Sequence, residues 1–263
     1  MAKTSKQTFD TIINTIKEVN KQWETTLYSF VQGKDIKVLP MTVGQQRRII
    51  TASYNSKAAA AFTTDIIDEI LLQNTKSSAS LTILDRPLML FELRQHLRGP
   101  KMEVQHDDTP IIVNIPKHIK HCKDTLKLPD LPLEFIVTEG NISVTCALPT
   151  IEHDRRVNTL YFQKYNPASD NRDIMHELIG DAYVFEVAKY VKSIELHGES
   201  VDIINNTDIE QSITIIENLP YPLSMKITEK TKPFKELESA LLTYKDSTGD
   251  IPIQIDSSMF IGE

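Results

Sequence analysis

Residues 39–99 constrain the fold most, because three helix starts and stops are written into LPMTVGQQRRIITASYNSKAAAAFTTDIIDEILLQNTKSSASLTILDRPLMLFELRQHLRG. Thr42 stands three residues before Gln45, the capping-box spacing that satisfies the orphan N–H groups of a helix start. The helix it opens carries Val43, Ile49, Ile50 and Tyr54 among the polar Gln45, Gln46, Arg47 and Arg48. A second helix is expected over 56–73, with Phe62, Ile66, Ile67, Ile70 and Leu71 facing a core and Asp65, Asp68 and Glu69 facing out. A serine-rich linker, 76–80, follows. Asp85 is a good N-cap for a third helix, with Pro87 in the first turn, where its missing N–H costs nothing. Met89, Leu90, Leu93 and Leu97 make the buried face, and Gly99-Pro100 stops the helix. None of the three is apolar all round, so they must pack on one another or on a neighbouring element.

That neighbour is predicted just upstream. Strands over 26–31 and 36–39 flank Gln32-Gly33-Lys34-Asp35, which has turn chemistry, and Pro40 ends the second strand. Before the hairpin, Phe9, Ile12, Ile13, Ile16, Val19 and Trp23 recur at three- and four-residue steps and so share one face of a helix over residues 1–24. Lys6, Asp10, Lys17 and Glu18 fall largely outside that stripe. Such a helix packs on its own domain or serves as an arm that docks on a neighbouring subunit; the sequence leaves both open.

From Pro100 the pattern becomes strand-like. Segments 102–105 and 111–115 flank His106-Asp107-Asp108-Thr109-Pro110, and segments 133–138 and 142–148 flank Glu139-Gly140-Asn141, two hairpin signals. Between them KHIKHCKDTLKLPDLP reads as polar and proline-broken. Helices are expected over 150–165, with Asp154, Arg155 and Arg156 exposed, and over 171–194. Another is expected over 206–219. Pro220-Tyr221-Pro222 then breaks the chain before a helix to about 229, and a less defined stretch covers 233–244. Ile251, Ile253 and Ile255 alternate as in a strand. The expected class is α+β, mainly helical, with an inserted small antiparallel β subdomain. Its units are an arm (1–24), a hairpin with three helices (25–99), the β subdomain (100–150) and a helical region with a terminal strand (151–263).

Little catalytic chemistry is written here. There is no phosphate-binding glycine loop, no dinucleotide fingerprint and no nucleophile elbow, and the chain has only 8 glycines. His176-Glu177 lacks the second histidine a zinc helix needs one turn on; Gly180 stands there. His118, His121 and Cys122, with Cys146, are the one metal-ligating group, and their spacing is irregular for a structural zinc site. With His176 they define the alternative reading, a small metal-dependent enzyme. Cys122 is expected to be half-exposed and Cys146 buried on a strand; two cysteines make no disulfide framework and fit a reducing compartment. A net charge of −7 opposes nucleic-acid binding, although Arg47/Arg48 and Arg155/Arg156 are the basic pairs it would use. No apolar run is long enough to span a membrane. MAKTSKQTFD has no apolar core with a cleavage site, so no signal peptide is expected.

One resemblance narrows the field. LPMTVGQQRRII followed by LDRPLMLFELRQHLRG resembles the T4-type bacteriophage baseplate protein family. The shared order is a short strand ending in proline and a helix opening on T-V-x-x-Q (residues 39–45), then a second helix (63–72). Asp85 then introduces a helix with an L-R element (91–94). Further on, Ala147-Leu148-Pro149-Thr150 matches a β segment ending in a proline-threonine step. Residues 181–194 match a helix rich in acidic and aromatic residues. Several members carry closely paired cysteines where this chain has Glu103-Val104-Gln105-His106-Asp107-Asp108, so the metal-stabilised knuckle they suggest is not carried over. The N-terminal helix looks like an extension of the shared region. The resemblance implies a baseplate component of the hub or hub-assembly class in a contractile-tailed phage. It would sit in the virion baseplate or act in the host cytoplasm during assembly, with no catalytic residues, cofactor or metal. Its partners would be other phage baseplate or tail proteins, without nucleic acid or membrane, and homo-oligomerisation is left open. The contact candidates are Phe9, Ile12, Ile16 and Trp23 on the arm, and Ile251, Ile253 and Ile255 on the terminal strand, which could lie in a groove or extend a partner's sheet.

Overall fold

A computed structural model of the chain describes residues 2–22, 24–54, 59–76, 80–107, 109–164, 172–206, 208–246, 249–255 and 259–260. Side chains are described throughout these except at 2–8, 54, 59–62, 163–164 and 172–180. Trp23, most of the 76–80 linker, the Asn166-Pro167 break and the side chains of Tyr54, Phe62 and His176 therefore lie outside the described residues.

The first half runs α1 (Ala2–Lys21), β1 (Thr25–Ser29), β2 (Lys34–Val38), α2 (Val43–Tyr54), α3 (Ala59–Asn74), α4 (Arg86–Arg98), β3 (Lys101–His106), β4 (Thr109–Asn114) and α5 (Ile115–Thr125). The second half runs β5 (Glu134–Glu139), β6 (Ile142–Ala147), α6 (Ile151–Lys164), α7 (Arg172–Tyr190), β7 (Val191–Leu196), β8 (Glu199–Asp202), α8 (Ile209–Glu217), α9 (Tyr221–Leu241), β9 (Thr243–Asp246) and β10 (Gly249–Pro252). The protein is thus α+β and mainly helical, with small antiparallel sheets. Three are hairpins, β1–β2, β3–β4 and β9–β10; the fourth has the order β5-β6-β7-β8.

The opening stretch folds much as its local signals require. Thr42 and Gln45 close the capping box reciprocally: Thr42 N–H donates to Gln45 Oε1 at 2.9 Å, and Gln45 N–H to Thr42 Oγ1 at 3.2 Å. Asp85 departs from its expected role. Its side chain makes no cap bond. Fully buried, it accepts from Ser29 Oγ at 2.6 Å and Val31 N–H at 2.9 Å on one oxygen, and from Thr82 N–H and Oγ1 at 2.8 and 2.9 Å on the other. One carboxylate therefore ties the β1–β2 loop to the start of α4. Two apolar assignments also change. Val43 is 85% exposed and Leu97 lies at the open end of α4, while Ile49 and the Leu88–Leu93 run fill the core.

Three further elements differ from expectation. The polar-looking KHIKHCK segment is α5: Asn114 Oδ1 caps Lys117 N–H at 3.0 Å, and Ile115, His118, Ile119 and Cys122 form its buried stripe. The expected long helix stops at Tyr190. Val191 and Ile194 have a helical spacing, but pairing with β6 makes the segment a strand, and the register shift between Thr145 and Cys146 lets both side chains be buried. β7 returns as β8 through His197 and Gly198, both at positive φ, the geometry of a two-residue hairpin turn. Pro233 does not end α9, because Leu223, Ile227, Phe234, Leu237 and Leu241 bury one continuous face across it. One hydrophobic cluster runs from Leu27 to Phe260 and takes residues from every other helix and hairpin, but none from the described residues of α1.

Candidate protein-contact site

The α1 helix leaves its apolar stripe uncovered. Phe9, Ile12, Ile13, Ile16 and Val19 are 41–69% exposed, and no described α1 residue joins the core or the layer packed on it. The polar side of α1 is satisfied internally: Lys21 pairs with Glu18 at 2.7 Å, and Thr15 Oγ1 donates to Thr11 O at 2.9 Å. A monomer rarely exposes such a contiguous apolar strip without a partner for it. The terminal segment is placed differently. Ile251 and Ile253 are buried and Ile255 is half-buried. Ile253 N–H donates to Leu242 O at 2.7 Å, and Ile255 O accepts from Thr64 Oγ1 at 3.2 Å. These side chains point into this chain's own core, so among the candidates with described side chains only Phe9, Ile12 and Ile16 present a free face.

The framework that carries α1 is organised around buried charge, including Asp68 and Asp154, which the helix pattern assigns to solvent. Asp68 on α3, Arg86 at the start of α4 and Asp154 on α6 are all buried. Arg86 Nη2 reaches Asp68 Oδ2 at 2.9 Å and also donates to Asp154 Oδ2. Lys189 on α7 meets the other Asp154 oxygen at 3.1 Å and Glu186 at 3.3 Å, and Lys235 on α9 meets Glu186 at 3.0 Å. Glu238 lies 3.9 Å from Arg86 Nη1. Five helices thus meet on one ion cluster. Burial opposes ionisation of both aspartates, but the outcomes diverge. Desolvation, reinforced by the nearby Asp154 charge, lifts Asp68 to about 7. At Asp154 the desolvation is outweighed by Arg86 and Lys189, which hold it down at about 2. Asp68 Oδ1 has no hydrogen-bond partner, consistent with the weaker of two acceptor sites. No local signal marks Asp68: one position past Ile67, it lies beside the apolar stripe of α3 and reads as solvent-facing until its partner on α4 is known.

The possible metal ligands are otherwise engaged. His118 is buried, edge-on to the Phe91 ring, and its Nε2 lies 3.0 Å from Leu241 O. The imidazole must therefore donate from Nε2, and burial keeps it neutral. Cys122 lies 3.7 Å from that ring but is fully buried rather than half-exposed, its thiol pushed up to about 11; burial pushes Cys146 to about 12. Both are thiols at neutral pH. His121 stands near Thr125 instead. Among the described residues no group of three or more His, Cys, Asp or Glu side chains is arranged to hold a metal ion.

Three of the four arginines of the basic pairs are consumed within the chain, and Arg47 is exposed. Arg48 pairs with Glu69 at 2.6 Å and Arg155 with Asp65 at 3.0 Å, while Arg156 donates to the carbonyls of Ile204 and Asn206. Arg155 and Arg156 are half-buried, not exposed as their helix pattern suggested. No helix among the described residues is long and apolar enough to cross a membrane.

The approach to LDRPLMLF and the step over 147–150, both part of the family resemblance, meet in space. Ile83 N–H donates to Pro149 O at 3.1 Å, and Ile151 N–H to Leu81 O at 2.9 Å, so the approach to α4 is stitched to the proline-threonine step. Comparison with curated proteins and with solved structures found no match in either. A family model described as T4 bacteriophage base plate protein matches residues 20–242. The match takes in the whole ion-centred framework and leaves out all of α1 except its last two residues. With most of its length matched, this chain belongs to the T4 bacteriophage base plate protein family.

Proposed function

We propose that the protein is a structural or assembly component of the hub region of a contractile-tail phage baseplate, and that it works by protein–protein contact without catalysis. It acts in the virion baseplate or, during assembly, in the host cytoplasm, and its partners are other baseplate or tail proteins. The single observation that carries the reading is the open apolar stripe of α1 on a chain of baseplate family. Supporting it, His118, Cys122, Cys146, Arg48, Arg155 and Arg156, on which other chemistries would draw, are tied up in packing and internal pairs. Phe9, Ile12 and Ile16, continued in sequence by Trp23, are the contact residues, and the arm they lie on is a unit separate from the body.

Deleting residues 1–22 tests this. No described α1 residue contributes to the core, so the truncated chain should unfold at the wild-type denaturant concentration. It should fail to enter baseplates when it replaces the full chain in infected cells. Normal entry of a folded, truncated chain would reject the contact role of α1.

A further inference from the structure

The spacing of the exposed residues on α1 says what covers them. Phe9, Ile12, Ile16 and Val19 step by three, four and three, and Trp23 continues the sequence by four. That is the a/d alternation of a coiled-coil seam with a period of 3.5 residues. In this register Phe9 and Ile16 occupy a, Ile12 and Val19 occupy d, and Ile13 at e widens the seam on one side.

Two features point to identical copies as the occupant. From Thr8 to Gln22 the e and g positions are Thr8, Ile13, Thr15, Asn20 and Gln22, none of them charged. These positions set partner choice: like charges there repel a second copy, and charge patterns there select a different chain. Here nothing repels self-pairing and nothing recruits an oppositely charged helix. The charged residues Asp10, Lys17, Glu18 and Lys21 fall at b, c and f, away from the seam, and Glu18 and Lys21 pair within their own helix. Strand number follows from side-chain shape. Leucine at d with a β-branched a favours two strands, whereas isoleucine at d, with either isoleucine or leucine at a, favours more. Here d holds Ile12 and Val19, while a holds Phe9 and Ile16 with Trp23 next in sequence, and no leucine stands in the seam.

We infer that α1 is a self-association helix that gathers at least three copies of this chain into a parallel, cyclic bundle. The inference rests on the contact role of α1 proposed above and names its partner. A ring of identical helices closes on itself and leaves no open end for further addition. It would also point the bodies of all copies the same way, each joined at residues 22–24.

Sedimentation of the full chain over a range of concentrations tests this. The expected species has at least three times the 29.9 kDa chain mass. Ile12→Asp/Ile16→Asp should sediment as a monomer with unchanged denaturant unfolding. A wild-type monomer or dimer overturns the inference, as does an oligomer that survives the double substitution. Cysteine cross-linking gives a second readout that leaves the seam nearly intact. Val19→Cys at d should form intermolecular disulfides, and Asn14→Cys, at f on the outer side, should not; equal or absent cross-linking at the two sites also overturns it. Baseplate entry separates this inference from the reading it rests on. If wild type is monomeric but the double variant is excluded from baseplates, only self-association fails. If the double variant enters baseplates normally, the contact role of α1 fails with it.

Discussion

Replacing Arg86 with methionine keeps most of the side chain's length and removes its charge from the point where five helices meet. In the wild type Arg86 lies 2.9 Å from Asp68, also donates to Asp154, and faces Glu238 at 3.9 Å. The variant strands these acids in a site where Arg86 itself is only 8% exposed. Breaking a buried pair by removing one partner costs about 3–5 kcal/mol, because the remaining charge stays desolvated. Two features moderate the cost. Asp154 retains Lys189 at 3.1 Å, and Asp68, already lifted to about 7, can take up a proton. The lower half of the range is therefore expected at pH 6, with a fall in Tm on the order of 10 °C for a chain of this size. The loss should grow at pH 8, where protonating Asp68 costs more. Urea unfolding followed by circular dichroism measures both. A double-mutant cycle with Asp68→Asn should show a coupling of about 1–3 kcal/mol. A loss below about 1 kcal/mol at pH 8, or no coupling, would mean that the cluster is not what holds the helices together.

Asp68 also gives the pH dependence a defined sign. Its folded value of about 7 lies above the ordinary 3.8, so the folded state binds this proton more tightly. The Asp68 contribution is then full below about pH 4 and is lost as pH rises towards 7, by an amount approaching about 4 kcal/mol. Comparing wild type with Asp68→Asn isolates this from His118 and His153, whose lowered values add stability as pH rises through 6.5. The variant should be the more stable at pH 8 and lose that advantage by pH 4; a constant difference between the two would refute the assignment. Asp154 runs the opposite way. Held at about 2, it stabilises fully above about pH 4, and Asp154→Asn should remove part of the acid-induced unfolding between pH 4 and 2. Asp85→Ala leaves Ser29 Oγ, Val31 N–H, Thr82 N–H and Thr82 Oγ1 without their acceptor. It should cost about 3–5 kcal/mol in urea unfolding, and a cost under about 1 kcal/mol would show that water replaces the carboxylate freely.

Local signals were readable where the physics is local. The Thr42–Gln45 box, the Gly140 turn and the strands beside it need only a few neighbouring residues, and they stand as the sequence wrote them. Asp85 stands where an N-cap would, at the start of α4, but its side chain caps nothing; two of its four donors, Ser29 Oγ and Val31 N–H, lie more than fifty positions away. Asp68, Arg86 and Asp154 were unreadable for the same reason. A charge on a helix is assigned to solvent until its partner is known, and these partners lie on separate helices. Two omissions had local cues. Asn114-Ile115-Pro116 opens α5 with a cap and a first-turn proline, and Leu196-His197-Gly198-Glu199 marks the β7–β8 turn. Pro233 was a fair breaker by propensity and lost to the burial of Phe234, Leu237 and Leu241. At the candidate contact site, the α1 stripe was legible as amphipathic. Its exposure was not, because periodicity is the same for a face packed on its own core and one left for a partner.

The most direct test of the central claim is quantitative mass spectrometry of baseplates and of baseplate assembly intermediates isolated from infected cells, with wild-type chain and with the chain lacking residues 1–22. Wild-type peptides are expected at a fixed ratio to other baseplate proteins in at least one of the two fractions, and lost from both on truncation. Absence of the wild-type chain from baseplates and intermediates alike would contradict that claim.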